Sequence, residues 1–223
     1  MMPIVLPKVK ICCIADEAEA SLAMRYGAAA IGLVARMPSG PGPIADELIR
    51  NIASAVPPPV ATFLLTCETS ARQVIEHHNK TFTNTIQLVD ELPESEYAII
   101  KKAIPAVKIV KVIHVTDEGS IDEALRVSAH VDAILLDSGN PRLAVKELGG
   151  TGREHDWKLS KRIVNAVAIP VFLAGGLNAL NVKQAIDEVQ PYGVDVCSGV
   201  RSGGKLDEEK LSAFFAAITK KNL

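Results

Sequence analysis

The stretch "KICCIAD" at residues 10–16 sets two thiols side by side at the end of a short apolar run. A thiol that ionises near neutral pH can serve as a nucleophile or a general base. If residues 10–13 form a strand, successive side chains point to opposite faces, so only one of Cys12 and Cys13 faces a given site. A carboxylate suited to act opposite it is Asp137, which ends the apolar run "AILLD". Burial there would raise its pKa and suit a general acid, whereas the plainer role is an aspartate that caps a loop. Three glycine clusters follow: "LGGTGRE" at 148–154, "AGGLN" with Gly175 and Gly176, and "CSGVRSGG" with Ser198 and Gly199. Glycine lets backbone N–H groups approach an anion closely, so phosphate is the ligand these clusters suggest; the plainer role is a set of tight turns. The first cluster lacks the Lys-Ser/Thr ending of a nucleotide-binding P-loop.

Other reactive side chains form no constellation. Cys12, Cys13, Cys67 and Cys197 show no CxxC spacing and no His/Cys cluster, so no metal site and no cofactor are expected. His77 and His78, with Arg72 and Glu76, read as a solvated helix face, His114 and His155 as structural, and Trp157 as a packing residue beneath a glycine loop.

The elements that must position these groups alternate. Eight short apolar runs, "VKICCI", "AAIGLV", "VATFLL", "NTIQLV", "KIVKVIHV", "DAILLD", "IPVFLAG" and "GVDVCSG", read as strands buried on both faces of a parallel sheet. Between and after them, helical spacing predicts helices over 17–26, 46–56, 70–78, 95–103, 121–128, 158–167, 181–189 and 208–219. Ser120 with Glu123 reads as a capping box, Asn178 or Asn181 as an N-cap, and Pro93 as the opening of a helix. Eight alternations without a Gly/Ser/Pro-rich linker predict an α/β fold, a single-domain (β/α)8 TIM barrel over residues 1–223, with an open doubly wound sheet as the rival.

The bounds agree. The chain has 223 residues, 48% of them hydrophobic and 22% charged, enough for one sizeable core. A formal net charge of -2 argues against a nucleic-acid partner. No basic leader opens the chain and no apolar run approaches the roughly 18–20 residues of a membrane span. A cytoplasmic protein with reduced thiols, not bound to membrane, is expected.

"KICCIAD", "AIGLV", "QLVDE", "LLDS", "GGTGREHDW", "LAGGLNALNV" and "PYGVDVCSGV" together resemble the phosphoribosylanthranilate isomerase family, from about Lys10 to about Phe215. The resemblance implies a (β/α)8 fold and an Amadori rearrangement of a phosphorylated aminosugar in tryptophan biosynthesis, without cofactor, by a monomer or homodimer. It selects Cys12 as general base and Asp137 as general acid, and assigns the substrate phosphate to Gly149, Gly150, Thr151, Gly152, Gly175, Gly176, Ser198 and Gly199. Cys13 stands where the family usually has glycine. Four further departures fall around the site. "PSGPGPI" puts Gly42 at or near a usual arginine thought to hold the substrate carboxylate; Val89 and Asp90 replace a histidine and a glycine; Arg201 replaces a glutamate. Arg36 is then the nearest replacement for the carboxylate contact, and Arg201 a second. Two further readings stay open: a paralogue acting on another phosphorylated aminosugar or sugar phosphate, and a non-catalytic phosphate-ligand binding barrel.

Overall fold

The computed structural model describes residues 6–139, Leu148 and residues 155–219. Eight parallel strands close into one barrel: β1 (Lys8–Ile11), β2 (Ala30–Val34), β3 (Ala61–Thr66), β4 (Thr85–Leu88), β5 (Lys108–His114), β6 (Ala133–Asp137), β7 (Val171–Leu173) and β8 (Gly193–Val196). Closure is made by β1 against β8, with Lys8 opposite Gly193 and Ile11 opposite Val196. Each strand is followed by a helix: α1 (Glu17–Arg25), α2 (Asp46–Ala55), α3 (Ala71–Thr81), α4 (Glu94–Ala103), α5 (Gly119–Ser128), α6 (Trp157–Ala166), α7 (Val182–Val189) and α8 (Glu208–Thr219). The predicted barrel is therefore the observed one, and the open sheet is excluded by the β1–β8 pairing.

Strand alternation separates two apolar regions. Residues such as Ile11, Ile31, Leu33, Leu64, Ile86, Ile109, Ile113, Ile134 and Leu136 pack outward against the helices, where Trp157 is also buried. Their neighbours Ala30, Val34, Phe63, Leu65, Val110, Val112, Ala133, Leu135 and Phe172 fill the interior. Phe63 and Phe172 meet edge to face inside the barrel, ring centroids 6.0 Å apart. An added Cβ at Gly193 would lie 2.6 Å from the Phe172 ring, so glycine at the start of β8 makes room for that packing.

Three expectations about helix ends and faces need correction. Ser120 is no N-cap, because α5 begins a residue earlier; its hydroxyl accepts from Thr116 N and donates to the His114 carbonyl, bracing the loop after β5. Asn181 stands at the N-cap of α7 without capping it. His77 and His78 are not a solvated face. His78 is buried with Nε2 2.8 Å from the Thr83 carbonyl, and His77 bridges the Thr66 hydroxyl at 2.8 Å and the Asp46 carboxylate at 3.1 Å. Both tie α3 to its neighbours, a role that period-3.6 patterning does not distinguish from exposure.

A feature without sequence signal follows β8. A single 3-10 turn, Ser198–Val200, leads into a two-stranded hairpin, β9 (Arg201–Ser202) against β10 (Lys205–Leu206). Its anchor is the Arg201 guanidinium, which pairs with Glu19 Oε2 at 2.8 Å and Oε1 at 3.1 Å. Glu19 is itself fixed by the amides of Ala15 and Leu206, while the Asp16 side chain accepts from Glu19 N and caps α1.

Candidate active site

The C-terminal ends of the strands surround one cavity. Cys12 and Cys13 contribute from just after β1, Gln87 from β4 and Val89 just after it, Asp137 from β6, and Asp195 from β8 with Cys197 and Ser198 just beyond it. Ala174, Gly175, Gly176 and Leu177 line it after β7, and Met37, Ser39, Gly40 and Pro41 cover one side from the loop after β2.

The alternation argument fails at the two cysteines, for a local reason. β1 ends at Ile11, and Cys13 adopts a left-handed backbone with φ 61°. Both thiols are buried and both line the cavity. Arg201 Nη2 donates to the carbonyls of Cys12 and Cys13, which holds the turn in place. Cys13 also lies against Gly42, where an added Cβ would come 2.7 Å from Cys13 Cβ; Gly42 has φ +85°. Bare backbone at 42 and a side chain at 13 are thus two halves of one contact.

Below the thiols lies a buried ion pair that the sequence reading passed over. Lys10 and Asp195, opposite each other across the β1–β8 seam, are 2.9 Å apart, with 0% and 8% side-chain exposure. Lys10 Nζ also lies 5.3 Å from the Phe63 ring centroid. The Cys12 thiol is shifted down from its ordinary value: the Cys13 thiol hydrogen-bonds to its sulfur and the Lys10 ammonium attracts the thiolate, against the opposing effects of burial and Asp195. Cys13, as the donor, is shifted up. Burial raises the Asp195 carboxyl despite Lys10, with Asp137 adding to the rise.

Asp137, 8% exposed, is in register with His114 and accepts a 2.7 Å bond from Ser138 N through Oδ1. It shares the cavity with Cys12, so the two groups separated by 125 positions in the chain are brought together. Gly175 and Gly176 both have positive φ, at 83° and 65°. The Gly176 carbonyl accepts from Asn178 Nδ2 at 3.2 Å and Asn181 Nδ2 at 3.0 Å, which is what these asparagines do instead of capping α7. Gly199 is not among the lining residues. A Cβ there would lie 2.0 Å from the Leu177 carbonyl, so this glycine lets the loops after β7 and β8 pack together. Gly149, Gly150, Thr151 and Gly152 lie outside the described residues.

The remaining candidates lie elsewhere. Arg36 is exposed and lines a neighbouring depression with Asp46, Glu68 and His77. Arg201 is committed to Glu19 and the Cys12–Cys13 backbone. His114 Nε2 donates to the Val89 carbonyl (3.2 Å) and His155 Nε2 lies 2.7 Å from Ser160 Oγ; burial depresses both to about 4. Gln87, by contrast, was missed. It is 3% exposed, lines the cavity and has its Oε1 without a hydrogen-bond partner among the described residues. Its only sequence signal was a polar residue inside the apolar run "NTIQLV".

A closed barrel with acid–base groups and a doubled-glycine turn at the C-terminal strand ends defines a (β/α)8-barrel enzyme. Residues 9–217 match the family model N-(5'phosphoribosyl)anthranilate (PRA) isomerase. The chain belongs to that family and is an intramolecular aldose–ketose isomerase. Among its relatives, N-(5'-phosphoribosyl)anthranilate isomerase of Methanocella arvoryzae is 36% identical, over 88% of this chain and 90% of the relative. The enzyme of that name from Methanosarcina acetivorans is 34% identical, over 95% and 92%. The solved phosphoribosyl anthranilate isomerase of Thermotoga maritima superposes with a TM-score of 0.81 at 29% identity, covering 96% of this chain and 98% of that one. A phosphoribosyl anthranilate isomerase solved in complex with reduced 1-(o-carboxyphenylamino)-1-deoxyribulose 5-phosphate superposes with a TM-score of 0.79 at 28% identity, with the same coverages.

Proposed function

We propose that the chain isomerises N-(5'-phosphoribosyl)anthranilate to the corresponding 1-deoxyribulose 5-phosphate in the cytoplasm, with Cys12 as general base and Asp137 as general acid. Asp137 gives a proton to the ribose ring oxygen as the C1–O bond breaks, leaving a protonated imine at C1. Cys12, as thiolate, removes the proton from C2, and the resulting enolamine becomes the ketone. Each proton transfer of this kind contributes about 10²–10⁴-fold. The observation that carries the reading is the placement of Cys12 and Asp137 on one cavity beside Gly175–Gly176, in a chain of this family.

The phosphate is assigned to the Gly175–Gly176 turn and Ser198. Gln87, which lines the cavity and has its buried Oε1 without a partner among the described residues, would accept a hydrogen bond from a sugar hydroxyl. The carboxylate contact finds no support in the placement of Arg36, which stands in the neighbouring depression. Purified protein supplied with phosphoribosylanthranilate should convert it, followed by loss of the substrate's fluorescence. Expression should restore growth without tryptophan to a bacterium lacking this isomerase. Soluble protein that does neither would replace this reading with the paralogue acting on another phosphorylated aminosugar.

A further inference from the structure

We propose that Lys10 is a positioning residue for the base: its ammonium, anchored by Asp195 and given room by Gly32, faces the Cys12 sulfur from inside the barrel and balances the charge the thiol acquires on losing its proton. This rests on the assignment of Cys12 as the base. Three observations locate the charge. Lys10 and Cys12 are two residues apart, so both turn inward, one near the C-terminal end of β1 and the other just beyond it. An added Cβ at Gly32 on β2 would lie 2.8 Å from Cys12 Sγ and 2.9 Å from Lys10 Nζ, so sulfur and ammonium flank the same vacant point. Asp195 holds Nζ at 2.9 Å from the other side, and the pair has almost no exposure to water. A buried lysine paired with a single carboxylate is a costly arrangement for stability alone, since apolar residues of equal volume commonly serve as well. Its retention beneath a thiol has a chemical use: a cation in a low-dielectric interior stabilises a thiolate far more than one in water.

The titratable and charged groups around the thiol are these: Lys10 from β1, Cys13 from the following turn, Asp195 from β8 and Cys197 just after it, Asp137 across the cavity on β6, and the Arg201 guanidinium, paired with Glu19, on the Cys12 and Cys13 carbonyls. Of the two cations, Lys10 is the one beside the sulfur, whereas Arg201 is paired with Glu19 and bound to the backbone carbonyls. Cys13 acts by hydrogen bonding, Asp195 opposes ionisation of Cys12, and the attraction by Lys10 exceeds that opposition. Gly32 belongs to the same device. Any side chain there would press on both reacting sulfur and ammonium, which gives "AIGLV" its glycine in mid-strand.

The test measures the thiol directly. Iodoacetamide alkylation of Cys12, assigned by mass spectrometry of the peptide carrying Cys12 and Cys13, is followed against pH in the full-length protein. The comparison variants are Lys10→Met/Asp195→Leu, which leaves no unpaired buried charge, and Lys10→Arg, which keeps the cation. The double variant should raise the midpoint by at least about one pH unit and slow alkylation at pH 7 about tenfold. Lys10→Arg should keep most of the shift. The acid limb of kcat/KM should move with the thiol midpoint while KM for substrate changes little. An unchanged midpoint in a double variant with native circular dichroism overturns the proposal. So does a midpoint in Lys10→Arg raised as far as in the double variant. A midpoint that shifts as expected in a protein inactive on phosphoribosylanthranilate upholds the role of Lys10 and rejects the substrate assignment instead.

Discussion

At the scale of single residues, the site is a set of side chains whose protonation is arranged by neighbours. Cys12→Ser and Asp137→Asn should each lower kcat by at least about 10²-fold with KM nearly unchanged, because the proposed phosphate contacts follow other strands. Steady-state kinetics on phosphoribosylanthranilate would reveal the split; near-normal turnover of Cys12→Ser would remove Cys12 as the base. Cys13→Gly carries two opposed effects. Relief of a left-handed non-glycine backbone should raise stability by about 1 kcal/mol, visible in thermal or urea unfolding. Loss of its thiol hydrogen bond should move the Cys12 midpoint upward in the alkylation profile. Arg36→Ala should leave kcat/KM within about tenfold, equivalent to about 1.4 kcal/mol, since the side chain stands outside the cavity. A larger loss confined to substrates that carry the carboxylate would restore Arg36 as its partner.

At the scale of elements, what decides the site is how the strand ends are tied to one another. The Arg201–Glu19 pair joins the hairpin after β8 to the start of α1 and steadies both cysteine carbonyls. With 8% and 11% exposure, removal of one partner strands the other charge, so Arg201→Met should cost about 2–3 kcal/mol and distort the Cys12–Cys13 turn. Burial works against the ionised Glu19, yet Arg201 and the amides of Leu206 and Ala15 hold its carboxyl below its ordinary value. That contribution is therefore complete above about pH 4.3 and is lost as pH falls through the lower folded value. The arrangement of strands and helices was legible in the sequence because buried parallel strands and amphipathic helices have different periods. Asp137 was legible because it closes an apolar strand, and Gly175–Gly176 because a doubled glycine after a strand marks a turn. The Lys10–Asp195 pair was not, because each residue interrupts an apolar run and reads as solvent-facing until closure brings β1 against β8. Nor was the shared orientation of the cysteines, which depends on one φ angle that composition does not report.

For the whole molecule, His114 and His155 make stability fall at acid pH. His114 and His155 are neutral in the fold, with values near 4, and take up protons more readily once unfolded, where histidine titrates near 6.5. Their stabilising contribution is full above about pH 6.5 and declines as pH falls toward about 4. Thermal midpoints measured from pH 7 to pH 4.5 should fall, and His155→Gln should flatten the slope; an unchanged slope would show that His155 does not titrate in that interval. The contact between Cys13 and Gly42 reaches beyond any one chain to the lineage that carries it. With Cys13 in place, a side chain introduced at 42 meets its Cβ at 2.7 Å; glycine at 13 removes that contact and leaves the Cα at 3.2 Å and the positive φ of residue 42. In descendants of this barrel a long cationic residue at 42 is therefore met by less obstruction after position 13 has become glycine than before it has.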